Sequence, residues 1–292
     1  MNNKTYTVGI TGASGFLGGE LIRHFTDKGW KVKALVRTVP KTTQKNVTYA
    51  AYDLTKEIAK GSLKGCDFVV HTAYIKQDSE HPDAMNQNVV AAKNILAAAK
   101  SADVKKLLFM SSMSAHEDAL SVYGKQKYSI EELFKDSQNV VIRSGMIIGD
   151  GGIVQNMTNL MKKLHAVPLI GGGTQPIQIV GVYDLARVIE KLLVDTSLKG
   201  IYTIATPRVY SYKEFYSAIA KHLKIKIAFV PVPFGLLLVA LKTISFLHLP
   251  LNIGAENLLG MKMLRSAETT KDLRTIGVEL DELDAALSKT LR

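Results

Sequence analysis

The sequence predicts an α/β fold, a doubly wound parallel sheet with a smaller C-terminal lobe, and three observations predict it. Short β-branched runs alternate with longer helical patterns over the first two-thirds of the chain, the mark of βαβ units. Near-continuous apolar runs such as Phe68-Val69-Val70-His71 and Leu107-Leu108-Phe109-Met110 suit strands covered on both faces. The length, 292 residues, accommodates one large α/β domain with a smaller region attached.

Taken in order, a first strand is expected over Thr5 to Thr11 and a helix over Gly15 to Lys28. Strands at Lys31 to Val36, Val47 to Ala51 and Asp67 to His71 come next, then a helix over Asn86 to Ser101. Lys105 to Met110 reads as a fifth strand, Leu120 to Lys135 as a helix and Asn139 to Arg143 as a sixth strand. Each strand is a short β-branched or apolar run, and each helix a longer pattern between two such runs. After Gly149 the pattern loosens, with glycine clusters at Gly151-Gly152 and Gly171 to Gly173, and a second region is expected to begin. The chain should return to the sheet around Ile201 to Ala205 and then build a small helical lobe from Ser211 onward. The main domain is therefore expected over residues 1–150, completed by 176–205, and the smaller lobe over 151–175 and 206–292.

Hydrophobic residues make up 47% and charged residues 22%, so a packed core rather than disorder is expected. The lone cysteine, Cys66, has no partner within the chain, and the N-terminus lacks a signal-peptide pattern, which together point to the cytoplasm. An excess of 37 Lys+Arg over 26 Asp+Glu gives +11, which attracts phosphorylated ligands, nucleic acid or anionic lipid alike. No basic run is long enough for a nucleic-acid tail, so a solvated basic surface is expected and no nucleic-acid partner. The apolar stretch Phe234 to Leu241 is bracketed by Pro233 and Lys242. It is far short of the roughly 20 residues of a membrane span and is expected to be a buried helix or a lid over an apolar substrate.

Directly after the first strand stands Thr11-Gly12-Ala13-Ser14-Gly15-Phe16-Leu17-Gly18, a TGxxGxxG pattern opening a helix. Glycines allow a tight turn and close approach to a pyrophosphate, and the free N–H groups of the helix start offer donors. Gly12 is expected to make the turn, Gly15 the close approach and Gly18 the helix packing, with Ser14, Phe16 and Leu17 in the same cradle. The second strand ends Ala34-Leu35-Val36-Arg37, without the acid that holds the ribose hydroxyls of NAD. Arg37, helped by Lys41, is instead suited to a 2′-phosphate, so NADP is expected over NAD.

These residues resemble the extended short-chain dehydrogenase/reductase superfamily, the NAD-dependent epimerase/dehydratase group, over nearly the whole chain. Val32 to Arg37, "VKALVR", resembles the NADP-preferring dihydroflavonol-reductase branch. The resemblance implies a Rossmann fold and places Asp53 and Leu54 beside the adenine. It lays His71, Thr72 and Ala73 along the cofactor and puts Asn88 at the start of the central helix. Arg143-Ser144-Gly145 resembles the RPG turn, with Ser144 replacing its proline, and the resemblance adds Ser144 and Met146 to the cofactor contacts. Val180 to Ile189 resembles the VHVxDVA segment, with Gly181 where histidine is common and Asp184 retained. The second lobe is similar, more loosely, to atypical members that include complex I accessory-subunit-like proteins. The family also implies a capacity to pair as a homodimer.

The strongest chemical signal is Tyr123-Gly124-Lys125-Gln126-Lys127, where a spacing of four puts Tyr123 and Lys127 on one helix face. Tyrosine titrates near 10, so acid–base work at neutrality needs the phenolate favoured by about 4 kcal/mol, which a neighbouring ammonium supplies. In the family's manner Lys127 also bonds the nicotinamide ribose. Ser112 stands at the C-terminal end of the fifth strand, where open sheets place ligands, and is expected to bond the substrate oxygen; Ser111 and Ser114 compete for that role. No histidine pair has metal-ligand spacing and no GxSxG elbow is present, so neither a metal site nor Ser-His-Asp hydrolysis is expected. The expected activity is an NAD(P)-dependent oxidoreductase or epimerase acting at a secondary alcohol or carbonyl of a small-molecule substrate. The alternative is a nucleotide-binding sensor or assembly protein without turnover.

Overall fold

A computed structural model of the chain describes residues 5–76, 81–135, 137–233, 235 and 265–291. Its elements alternate as the periodicity predicts. β1 (Thr7–Thr11), α1 (Phe16–Asp27), β2 (Lys31–Val36), β3 (Val47–Ala51) and β4 (Phe68–His71) come first. Then follow α2 (Ala84–Ser101), β5 (Lys106–Ser112), α3 (Val122–Glu131) and β6 (Val140–Ser144). The helix expected to run to Lys135 tightens into a 3-10 turn at Glu132–Phe134. Phe134 there turns into the core and stacks on Phe109 at 5.3 Å.

Beyond β6 lie β7 (Met146–Ile148), α4 (Gly152–Leu164), β8 (Ala166–Ile170), β9 (Pro176–Ile177), β10 (Ile179–Gly181), α5 (Val182–Val194) and β11 (Gly200–Ile204). β12 (Tyr210–Ser211), α6 (Tyr212–His222), β13 (Ala228–Val232) and helices at Thr270–Ile276 and Leu283–Thr290 complete the described chain. α4 is a regular helix in the region after Gly149 where the sequence pattern loosens. β13 is a strand where helix was expected: Ala228 to Val232 pair in parallel with Ala166 to Ile170. Pro231, which has no N–H to donate, sits in this two-stranded sheet, where every strand is an edge. The run Phe234 to Leu241 lies, Gly235 apart, outside the described residues. Among the described residues no helix is long and apolar enough to cross a membrane.

Seven strands form one sheet in the order β11-β6-β5-β4-β1-β2-β3, with parallel pairing from β3 through β2, β1 and β4 to β5. The chain winds outward from β1 in both directions, so β1 and β4 flank the point where the strand order reverses. Open sheets bind ligands outside the carboxyl ends of such strands.

The described residues fall into two compact units. One comprises the chain up to Ser112 with Gln126–Arg143 and Val182–Tyr202. Its core includes Leu35, Val69, Ile95, Leu107, Phe109 and Val141, all nearly inaccessible. Lys106 is buried there and donates to the carbonyls of Leu192, Asp195 and Leu198, closing the end of α5. The other comprises Met113–Lys125, Ser144–Gly181 and the described residues from Thr203 onward. It packs Ile148, Val154, Ile179, Phe215, Ile219 and Leu287 around its own core.

Candidate functional site

In the sheet-bearing unit the chain leaves β1 through Gly12 at φ +67°, a left-handed conformation that favours glycine. A Cβ there would lie 2.8 Å from both Ala73 N and Thr72 Oγ1, so the loops after β1 and β4 touch through this residue. Gly18 meets the loop from the helix side: a Cβ on it would come within 2.2 Å of the Gly12 carbonyl oxygen. Gly15 is the N-cap of α1, its N–H donating to Gly12 O at 2.9 Å. No side chain caps this helix and its first turn carries no acid. Ser14 is exposed, with Phe16 and Leu17 half-buried beside it. A backbone cradle that side chains would fill, ending on uncapped N–H groups, fits a diphosphate.

Thr11 locks the same corner from behind. Its Oγ1 shares a 2.7 Å hydrogen bond with His71 Nδ1 and accepts from Ala73 N at 3.3 Å, while Thr72 Oγ1 donates to Thr11 O at 2.7 Å. Burial, with the charge of Lys127 adding to it, holds the His71 imidazole down at about 3, so this ring stays neutral near pH 7. Asn88, in the first turns of α2, is buried and turned onto the chain itself. Its Oδ1 accepts from Ile75 N at 2.9 Å, and its Nδ2 donates to Ile75 O at 2.8 Å and to Ala84 O at 2.9 Å. The structure thus places Asn88 as the clamp that sets the course of the segment after β4.

Arg37 is exposed just past β2. Asp53 Oδ1 accepts from Thr55 N at 2.9 Å and Thr55 Oγ1 at 2.8 Å. These two bonds hold its carboxyl below the usual range, with the charge of Arg37 a smaller contribution. Leu54 packs against the core of this unit.

β5 ends at Ser112, half-buried, beside the buried Ser111. α3 carries Lys127, only 4% exposed, whose Nζ donates to Met110 O at 2.7 Å. The ammonium lies 4.7 Å from the Phe109 ring centroid and 4.9 Å from that of Tyr74. Burial pushes Lys127 down to about 7, and the Glu131 carboxylate opposes that. Gln126, fully buried, accepts from Tyr74 OH at 2.6 Å and donates to Ala84 O at 2.8 Å, tying α3 to α2 and to the segment after β4.

Glu131, one turn beyond Lys127, is a residue that sequence reasoning missed. It is 1% exposed; Arg143 Nε donates to both of its oxygens at 3.0 Å, and Ser111 Oγ donates to Oε1. The signal was present as a second interval of four after Tyr123 and Lys127, but a glutamate at that spacing also reads as an ordinary surface ion pair.

The other unit holds the rest. Tyr123 lies in the first turn of α3 and is 40% exposed. Ser121 caps that turn by accepting from Gly124 N at 3.1 Å. Gly124 lets the preceding loop close on the helix, since a Cβ there would come within 2.4 Å of Ser114 O. Ser144 is buried and accepts at its carbonyl from Met113 N at 3.1 Å, while Met146 N donates to Gln178 O at 2.9 Å.

The geometry stands beside three likenesses. An uncharacterized protein of Mycobacterium tuberculosis is 24% identical over 220 residues, 73% of this chain. The chain spans only about a quarter of that relative's length, 23%. The ceramide reductase of Caulobacter vibrioides is 30% identical over 192 residues, covering 61% of this chain and 58% of that protein. Among solved structures, a nucleoside-diphosphate-sugar epimerase from Staphylococcus aureus shares the fold, with TM-score 0.75 at 18% identity over 96% of this chain and 99% of the other. The family model for the NAD dependent epimerase/dehydratase family matches residues 8–205, from β1 past the end of β11. With the parallel sheet, the glycine cradle and that match in hand, the chain belongs to the NAD dependent epimerase/dehydratase family.

Proposed function

We propose that this chain is an NADP(H)-dependent oxidoreductase or epimerase that acts at a secondary alcohol or carbonyl, with Tyr123 as its acid–base. The observation that carries the reading is Lys127: a buried ammonium held on the Met110 carbonyl, one helical turn beyond an exposed tyrosine and beside the strand end that bears Ser112. The nicotinamide, when bound, supplies or accepts the hydride. Gly12, Ser14, Gly15, Phe16, Leu17 and Gly18 would hold its diphosphate, and Arg37 the 2′-phosphate. Asp53 and Leu54 would border the adenine, with His71, Thr72, Ala73, Ser144 and Met146 along the rest. Asn88 acts by fixing the segment after His71.

Ser112 bonds the substrate oxygen, and Tyr123 gives or takes the proton on that same oxygen. The positive charge of Lys127 favours the phenolate and also serves the ribose hydroxyls. The sheet-bearing unit is read as the nucleotide domain and the other as the substrate lobe, in a cytoplasmic protein that pairs as a homodimer. A weakly polar substrate is favoured over a sugar nucleotide by the apolar run Phe234 to Leu241 and by the likeness to ceramide reductase.

The test is a titration of wild type and Arg37→Asp with NADPH and NADH, followed by a panel of ketones and secondary alcohols. Wild type should prefer NADPH and Arg37→Asp should lose that preference. Tighter NADH binding by wild type would overturn the cofactor assignment. Tight nucleotide binding with no turnover on the panel, unchanged in Tyr123→Phe, would replace the enzyme with a nucleotide sensor.

A further inference from the structure

In the unit that holds α4, β8 and β13, the two strands form a parallel pair in which Ala228 matches Ala166, Val230 matches Pro168 and Val232 matches Ile170. Residues matched in this way share one face, and those between them point to the other. Val167 and Phe229 occupy the inner face and pack into the core of this unit, with Leu169 buried in the same row. Parallel strands are ordinarily covered on both faces. Here the outer row, Ala166, Pro168, Ile170, Ala228, Val230 and Val232, is apolar throughout, yet every member reaches solvent and Val230 is 47% exposed. α4 adds to the exposed apolar surface of the unit. Ile153, Leu160 and Leu164 follow one another at spacings of seven and four, which puts them on one side of the helix, and Leu164 stands two residues before β8.

The charge at the head of this pair is of one sign. Lys162 and Lys163 lie in the last turn of α4, and Lys224 and Lys226 lead into β13, all of them exposed. His165 joins the two groups: its carbonyl accepts from Ala228 N at 2.8 Å, and its Nδ1 lies 3.3 Å from Lys226 O. Among the described residues none of these four lysines has an ion-pair partner. The chain carries no acid between Asp150 and Asp184, and none between Glu214 and Glu256. Asp150 precedes the opposite end of α4, about 18 Å from Lys162 along the helix axis. Glu214 is tied to Ser211 in the first turn of α6.

We propose that the outer face of β8 and β13, with the lysines at its head, docks on the surface of an anionic lipid bilayer. A contiguous apolar surface left in water marks an interaction site, and its chemistry selects the partner. A bilayer supplies acyl chains for the apolar row and a diffuse negative potential for lysines that no carboxylate of the described chain meets. A folded protein partner would be held in register by hydrogen-bonding side chains, and the outer row has none. A single-stranded nucleic acid would stack its bases on aromatic rings, and Phe229, the aromatic residue of the pair, packs inward. The sequence beyond β13 keeps the same character, with the apolar run Phe234 to Leu241 followed by Lys242.

The test is flotation of the full chain with two kinds of vesicle, phosphatidylcholine alone and phosphatidylcholine mixed with phosphatidylserine. Wild type should float with the mixed vesicles and stay behind with the neutral ones. Val230→Glu places a charge in the apolar row, and the pair Lys163→Glu with Lys226→Glu reverses the charge at its head; each should lower binding at least about tenfold. A control pair in the other unit, Lys60→Glu with Lys100→Glu, changes the net charge equally and should alter binding by less than about threefold. No flotation of wild type with the mixed vesicles overturns the proposal, whether the face lies open to water or under residues 236–264 of the same chain. Flotation that survives Val230→Glu assigns binding to another part of the chain, and equal losses in the two lysine pairs reduce it to net charge; both overturn the proposal. A concentration-dependent dimer in sedimentation, abolished by Val230→Glu, would give the face to a second copy instead. Should Val230→Glu not fold by circular dichroism, the comparison of the two lysine pairs decides. Flotation needs neither substrate nor nucleotide, so it can fail while Tyr123 proves catalytic, and it can succeed while the chain turns nothing over.

Discussion

The side-chain amide of Asn88 bonds both backbone groups of Ile75, accepting from its N–H at 2.9 Å and donating to its carbonyl at 2.8 Å. Both backbone groups of Ile75 are satisfied by a helix side chain, and the segment after His71 is held against α2. Asn88→Ala should destabilise the fold by about 1–3 kcal/mol, because two part-buried backbone groups of Ile75 lose their partner and the buried bond to Ala84 O is lost with them. Asn88→Asp should cost a comparable amount, since it keeps the acceptor and loses the donors. Urea unfolding with unchanged slope checks both; a loss within error of zero for Asn88→Ala would show the clamp to be idle.

Two adjacent glycines should behave oppositely. Gly18→Ala drives a methyl to within 2.2 Å of the Gly12 carbonyl oxygen, whereas a Cβ on Gly19 meets nothing within 4 Å. Gly19→Ala should therefore stabilise α1 by about 0.5–1 kcal/mol through backbone entropy. Gly18→Ala should open the cradle and weaken NADPH binding at least tenfold while the circular dichroism stays native. Equal affinities in the two variants would remove the loop from the nucleotide site.

Acid should unfold the protein partly through His71. Its folded value is depressed to about 3 from 6.5, so between those values the unfolded chain binds the extra proton and stability rises with pH. Read downward, the loss begins as pH drops below 6.5 and is complete near 3. A His71→Gln variant lacks this titration, and its stability relative to wild type should improve steadily over that window. Denaturation midpoints measured at intervals across it, for both proteins, provide the check; parallel curves would mean that His71 titrates in the native state as it does in the unfolded chain.

For Lys127 the sign is the same at higher pH. The folded value of about 7 lies below the unfolded 10.5, so wild type should gain stability relative to Lys127→Met as pH rises from 7 toward 10.5. Below 7 the burial penalty is fully present. Thermal melts of the two proteins across this range should converge or cross, and a constant offset would count against a buried charge.

Tyr123→Phe should retain nucleotide binding and lose roughly a hundredfold or more in turnover on any substrate found in the panel, as expected when a positioned acid–base is removed. Stopped-flow measurement of nucleotide absorbance in a single turnover separates that step from product release. Undiminished hydride transfer would take Tyr123 out of the chemistry.

The sequence by itself determined the strands at Lys31–Val36 and Val47–Ala51 to the residue, the glycine cradle, and the spacing of Tyr123 and Lys127 on one helix. These are local matters: apolar period, the space a Cβ occupies and the rise of a helix are all settled within a few residues. α4 was harder to read, because it opens on a glycine pair and leaves Ile153, Leu160 and Leu164 on its exposed face, blurring the apolar stripe. Tertiary structure alone decided what Asn88 and His71 do, and that Glu131 is buried rather than a surface acid. Thr11 and His71 meet across 60 positions, and Ser111 and Arg143 reach Glu131 from two different strands. The worth of a buried polar group depends on partners that only the strand order brings within hydrogen-bond reach.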